Sequence, residues 1–93
     1  MKINGLRIEL GEIEAAIKSL RTVSEAAVVA AAGHTRLVGF FSGEATRDEL
    51  KEVCNSRLPP YMVPHAFIHV ESWPRTTSAK LDRNALLQLG VTL

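Results

Sequence analysis

Leu6, Ile8 and Leu10 are separated by the polar residues Arg7 and Glu9. This period of two predicts a short, half-buried strand near the N-terminus. Gly11 breaks the pattern, and Ile13, Ala16, Ile17 and Leu20 then recur at helical spacing. Glu12 and Glu14 stand in the first turn, where the helix dipole favours anions, so a helix is predicted over residues 12–20. The apolar run from Ala26 to Ala32 is closed by Gly33-His34 and followed by Leu37-Val38-Gly39-Phe40-Phe41. Two apolar runs so joined predict a hairpin with a short loop, both of its strands central in a sheet.

The second half of the chain carries clearer punctuation. Ser42-Gly43 ends the hairpin, and Thr46-Arg47-Asp48-Glu49 has the form of a capping box, with Thr46 accepting from the amide three residues on and Glu49 reaching back. Leu50, Val53, Cys54 and Leu58 supply the apolar stripe of the helix that starts there, and Pro59-Pro60 stops it. From Ala66 to Val70 the residues Ala66, Ile68 and Val70 alternate with Phe67 and His69, as in a third core strand. Residues 73–83 are polar and turn-like, and Asp82 is placed to cap a last short helix carrying Leu86, Leu87 and Leu89, with Gly90 terminating it. The expected class is α+β: a small, largely antiparallel three-stranded sheet flanked by helices, with a short N-terminal strand.

Ninety-three residues hold one domain with a small core, since a chain of this size buries about 60–65% of its unfolded surface. At 46% hydrophobic and 23% charged residues the chain lies in the globular range and not the disordered one. Its 11 Lys and Arg against 10 Asp and Glu leave a formal charge of +1, no field to gather nucleic acid or an anionic membrane. A single cysteine excludes an internal disulfide, and no apolar run is long enough to span a bilayer. A monomeric, cytoplasmic chain without nucleic-acid or membrane partners is expected.

Few residues here suggest chemistry by pattern alone. Glu12 and Glu14 lie two apart on a helix and face different ways, which suits a solvated helix start better than a catalytic pair, and Glu14 has Lys18 at i,i+4. His34, His65 and His69 lack metal-ligand spacing, so no metal site is expected. Cys54, on an apolar helical stripe, reads as a small buried hydrophobe. The one basic place is Trp73-Pro74-Arg75-Thr76-Thr77-Ser78-Ala79-Lys80-Leu81-Asp82-Arg83, three cations interleaved with hydroxyls against one carboxylate. A mobile lysine in such a loop suits an oxyanion of phosphoryl transfer, but by pattern alone a lysine in a polar loop is solvated far more often than catalytic.

Three stretches add a resemblance. Lys2-Ile3-Asn4-Gly5-Leu6-Arg7-Ile8-Glu9-Leu10-Gly11-Glu12-Ile13-Glu14 resembles the motif that opens the small C-terminal subdomain of adenylate-forming enzymes, in the form found in adenylation domains of nonribosomal peptide synthetases. Leu58-Pro59-Pro60-Tyr61-Met62-Val63-Pro64 is similar to the middle segment of that subdomain, and Pro74–Arg83 to its final motif, which ends around an essential lysine, here Lys80. The three follow in the family's order and cover nearly the whole chain. One position departs from the pattern: Ala79 stands where the family usually has glycine, which limits positive φ beside the lysine.

The resemblance implies that residues 1–93 form the lid subdomain of a larger enzyme, whose large subdomain would bind ATP, Mg2+ and the substrate. That enzyme would join an amino acid to AMP and pass it to the phosphopantetheine thiol of a carrier domain. Lys80 would be the catalytic residue of the first step, and the loop of Lys2, Gly5 and Arg7 would face the pantetheine in the second. Arg7, Glu9, Gly11, Glu12, Tyr61 and Pro64 would mainly hold the lid's fold and its docking surface. Alone, the chain would be inactive. The alternatives are the lid of an acyl- or aryl-CoA ligase, which Glu9-Leu10-Gly11-Glu12 fits less well, and a non-catalytic interaction module.

Overall fold

The structure, a computed structural model, describes residues 2–3, 6–31, 36–78 and 80–91. Its N-terminus is a two-stranded antiparallel ribbon, β1 (Lys2–Ile3) and β2 (Leu6–Arg7), with Lys2 opposite Arg7 and Ile3 opposite Leu6. The single strand expected here is therefore half of a hairpin, and the Asn4-Gly5 dipeptide between the paired residues is the sequence signal for it. Helix α1 runs over Leu10–Lys18, two residues earlier at both ends than the periodicity suggests. Gly11 does not delay its start, because burial of Ile13, Ala16 and Ile17 on the core outweighs a glycine's cost in a helix. Leu20, read as helical, lies past the Ser19 cap and still packs on the core.

The main sheet has the order β3-β4-β5, from β3 (Val23–Ala31), β4 (Arg36–Gly43) and β5 (Ala66–His69). β3 and β4 are antiparallel from Val23 opposite Gly43 to Ala31 opposite Arg36, with a register shift between Val23 and Glu25; the predicted connection Gly33-His34 lies outside the described residues. β5 joins β4 in parallel, Val38 to Ala66 through Phe41 to His69. Parallel pairing requires a crossover, which α2 (Arg47–Arg57) provides. The sheet is thus mixed, the antiparallel pairing being the longer, and of the two hairpin strands only β4 is central. β3 lies at an edge because the chain reaches β5 through α2 and places it against the other side of β4.

Both faces of the sheet are covered. One carries Ala26, Val28, Leu37, Phe41 and Phe67 under Ile13 and Ile17 of α1 and Leu50 and Cys54 of α2. The other carries Ala27, Val29, Val38 and Phe40 with Val70 and with Leu86 of α3 (Arg83–Val91). The alternation in β5 is present, with Phe67 buried in the first layer and Ile68 packed against the second. The Thr46 box forms as expected, Oγ1 accepting from the Glu49 amide at 3.2 Å while the Thr46 amide donates to Glu49 Oε1 at 3.0 Å. A short 3-10 turn, Pro60–Met62, follows α2, with Met62 buried and Tyr61 exposed. α3 runs through Gly90 to Val91 instead of ending before it.

Gly43 closes β4 at φ +112°, and a Cβ there would run into the Thr22 carbonyl and lie 2.8 Å from the Ser24 amide. Gly11 has nothing within 4 Å of where a Cβ would stand. Gly43→Ala is expected to lower the unfolding free energy by about 1–3 kcal/mol, the usual range for such backbone strain. Gly11→Ala is expected to raise it by up to about 1 kcal/mol through helix propensity. Urea unfolding of both variants checks the opposite signs.

Candidate functional site

The loop between β5 and α3 is fastened at intervals to the sheet it crosses. The Trp73 indole N–H donates to Ser42 Oγ at 3.1 Å. The loop then doubles back in a narrow ladder: the Asp82 amide donates to the Pro74 carbonyl at 2.9 Å, Arg75 pairs antiparallel with Leu81, and the Thr76 amide donates to the Lys80 carbonyl at 2.7 Å. Thr76 Oγ1 and Ser78 Oγ share a 3.0 Å hydrogen bond near the tip. Leu81 packs inward on the second core layer, so the alternation of extended backbone turns Lys80 outward, where it is exposed.

The three cations of the loop are treated differently. Arg75 reaches Glu25 on β3, with Nη2 at 3.1 and 3.2 Å from the two carboxylate oxygens. Arg83 Nη1 lies 3.2 Å from Glu14 Oε2 and donates to the Val28 carbonyl at 3.1 Å. Among the described residues no carboxylate pairs with Lys80. One ammonium is left on a fixed ladder, free to meet an anion that arrives from outside. Asp82, the loop's carboxylate, is occupied as the predicted cap of α3, its Oδ1 accepting from the Ala85 amide at 3.1 Å.

The remaining described candidates belong to other elements. Lys2 and Arg7 are brought opposite each other in the β1–β2 ribbon, a ladder separate from the one that bears Lys80. Gly5, predicted to face the thiol, lies outside the described residues, as do Ala79 and His34. His65 is structural: its amide donates to the Leu37 carbonyl at 2.8 Å and its Nδ1 accepts from the Leu37 amide at 3.1 Å. His69 donates from Nε2 to the Gly43 carbonyl at 3.1 Å and packs edge-on against Phe41. Among the described residues no group of three His, Cys, Asp or Glu is placed to hold a metal ion, and no helix is long and apolar enough to cross a membrane.

Sequence reasoning does not single out Glu14 and Glu25 as partners of this loop. Glu14 is not a solvated helix residue paired with Lys18; its side chain is 15% exposed and its carboxylate turns to Val28 and Arg83. Their separations, 69 residues for Glu14–Arg83 and 50 for Glu25–Arg75, leave no local pattern to detect.

Comparison with known proteins bears on this arrangement. A family model described as the AMP-binding enzyme C-terminal domain matches residues 12–80. One of the plipastatin synthase proteins of Bacillus subtilis (strain 168) is 48% identical over 88 residues, covering 92% of this chain and 3% of that protein. A four-domain nonribosomal peptide synthetase, solved bound to AMP and glycine, superposes with a TM-score of 0.80 at 41% identity, over 90% of this chain and 7% of that one. O-succinylbenzoate coenzyme A synthetase from Bacillus subtilis, solved in complex with AMP, gives 0.77 at 30% identity, over 88% of this chain and 18% of that one. The chain therefore spans only a small fraction of the proteins it matches.

Cys54, the one thiol, has no part in such a site. It is fully buried, and burial pushes its pKa up to about 11 from the usual 9.0. The native chain is expected to resist iodoacetamide at pH 8 and to be labelled quickly in guanidinium. Because the folded-state value is the higher one, this thiol's contribution to stability is whole below pH 9 and declines as pH rises from 9 towards about 11. Rapid labelling of the native chain contradicts this placement.

Proposed function

The chain belongs to the AMP-binding enzyme C-terminal domain family, and from that premise we propose that it is the mobile lid of an adenylate-forming ligase of the nonribosomal peptide synthetase type. The parent enzyme activates an amino acid with ATP and transfers the aminoacyl group to the phosphopantetheine thiol of a carrier domain. ATP and Mg2+ are held mainly by the large subdomain, and the lid docks against that subdomain and, in turn, the carrier.

One observation carries the chemical part of this reading. Lys80 is exposed on a hydrogen-bonded ladder, and among the described residues it is the loop cation without a carboxylate partner. In the first step a carboxylate oxygen of the amino acid attacks the α-phosphorus of ATP and pyrophosphate leaves. The Lys80 ammonium offers up to three N–H donors to the substrate carboxylate and the α-phosphoryl oxygens, where negative charge accumulates. Its backbone is held by Thr76, so little ordering remains to be done when the lid closes. In the second step the lid turns, Lys80 withdraws, and the ribbon of Lys2 and Arg7, with Gly5 between its strands, lines the thiol's approach.

A coenzyme A ligase lid is the second reading, since O-succinylbenzoate coenzyme A synthetase shares the fold at 30% identity. The 48% and 41% identities to peptide synthetases favour a carrier-bound thiol as acceptor.

In the intact enzyme, Lys80→Ala is expected to slow aminoacyl-AMP formation by about 10²–10³, the usual contribution of one charge-stabilising donor. Thioester formation from pre-made aminoacyl-AMP is expected to continue at the wild-type rate. Pyrophosphate exchange and single-turnover carrier loading separate the two steps, and equal loss in both argues against the assigned role. Gly5→Leu is expected to show the reverse bias, because a bulky side chain obstructs the pantetheine and leaves ATP untouched. An unchanged loading rate removes Gly5 from the site.

A further inference from the structure

Arg83 stands three residues after Lys80, at the first position of α3, and its guanidinium ties three elements at one point. Nη1 donates to the Val28 carbonyl on β3 at 3.1 Å and lies 3.2 Å from Glu14 Oε2 on α1. The same Glu14 oxygen accepts from the Val28 amide at 2.8 Å. Both backbone polar groups of one edge-strand residue are thus satisfied by an ion pair whose members come from α1 and α3. Between Arg83 and Lys80 lie only Leu81, packed on the second core layer, and Asp82, whose amide closes the ladder on Pro74 and whose carboxylate caps α3. Val28 is therefore tied by hydrogen bonds to Arg83, and Arg83 is joined through the two intervening residues of the chain to the ladder that holds the backbone of Lys80.

We infer that Glu14 and Arg83 are positioning residues for Lys80, fixing the start of α3 and with it the ladder from which the ammonium reaches the reacting phosphoryl group. The inference rests on the lid reading above. Its energetic character sets it apart from a merely structural role. The Arg83 side chain is 51% exposed and that of Glu14 15%, and the Glu14 oxygen keeps its bond to the Val28 amide when Arg83 is replaced, so the half-open pair contributes modestly to stability. Placement of a catalytic group is far more sensitive, since an error of about 1 Å can cost about 100-fold in rate. Glu14 is itself held in the second turn of α1, so removing its carboxylate frees α3 and the loop and leaves the helix and the ribbon before it in place. The ion pair also suits arginine: one planar nitrogen aims its two N–H bonds at a carboxylate and a carbonyl together.

The test uses the intact enzyme with the amino acid that the wild type activates best in a screen of the proteinogenic set. Glu14→Ala and Arg83→Met are each expected to lower kcat for pyrophosphate exchange by about 10- to 100-fold with KM for the amino acid nearly unchanged. The double variant is expected to be no worse than either single one. Arg83→Lys is expected to recover part of the rate, thioester formation from pre-made aminoacyl-AMP to stay at the wild-type level, and the thermal midpoint to shift by only a few degrees. Equal losses in both half-reactions, or a large fall in thermal midpoint that Arg83→Lys does not repair, overturn the positioning role. Wild-type exchange in Glu14→Ala and Arg83→Met beside a severe loss in Lys80→Ala overturns it alone. Undiminished exchange in Lys80→Ala overturns the lid reading and this inference with it.

Discussion

β4 has no face towards water. Leu37, Val38, Phe40 and Phe41 are each at most 2% exposed, although successive side chains of a strand point to opposite sides. A domain with such a strand must supply apolar cover twice, which a chain of this length does by placing α1 and α2 over one face and α3 over the other. On the first face Gly39 makes room for its cross-strand neighbour: a Cβ would lie 3.0 Å from the Phe67 ring, so the aromatic side chain occupies the volume that glycine leaves open. The course of the chain follows from the same demand. β5 is at one edge of the sheet and α3 packs against β3 at the other, so the segment between them has to cross the second face. That crossing segment is the loop that carries Lys80.

The crossing is anchored where it passes over each strand, by Trp73 to Ser42 on β4, Arg75 to Glu25 on β3 and Arg83 to Val28 on β3. Arginine does the fastening because its planar donors span a carboxylate or a carboxylate and a carbonyl. Lysine suits the proposed chemistry because a compact ammonium on a flexible stem can follow oxygens whose charge changes during reaction. The chain spans 3% of a peptide synthetase relative and 7% of a solved one.

Much of the fold is legible in local patterns. The Thr46 box, the Pro59-Pro60 stop, the Asp82 cap and the burial of Cys54 each depend on residues a few positions apart, and each holds. The errors occur where distant parts decide. Alternation in β5 shows two faces without showing that both are covered, and the apolar run of β3 leaves it looking central because such runs do not disclose strand order. The N-terminal ribbon is legible in Asn4-Gly5, a signal that the alternation of Leu6, Ile8 and Leu10 alone does not carry. Lys80 is indicated by its motif, whereas the partners that fix its loop, Glu14 and Glu25, are set by tertiary packing and leave no trace in spacing.

The central claim, that the unpaired ammonium of Lys80 is what this domain brings to a reacting adenylate, is tested most directly by a crystal structure of the intact enzyme with a non-hydrolysable aminoacyl-adenylate analogue. Lys80 Nζ is predicted to lie within hydrogen-bonding reach of the analogue's α-phosphoryl or acyl oxygen, at about 2.7–3.2 Å, with the Arg75–Leu81 ladder intact. A closed complex in which a different cation occupies that place while Lys80 points to solvent would contradict it.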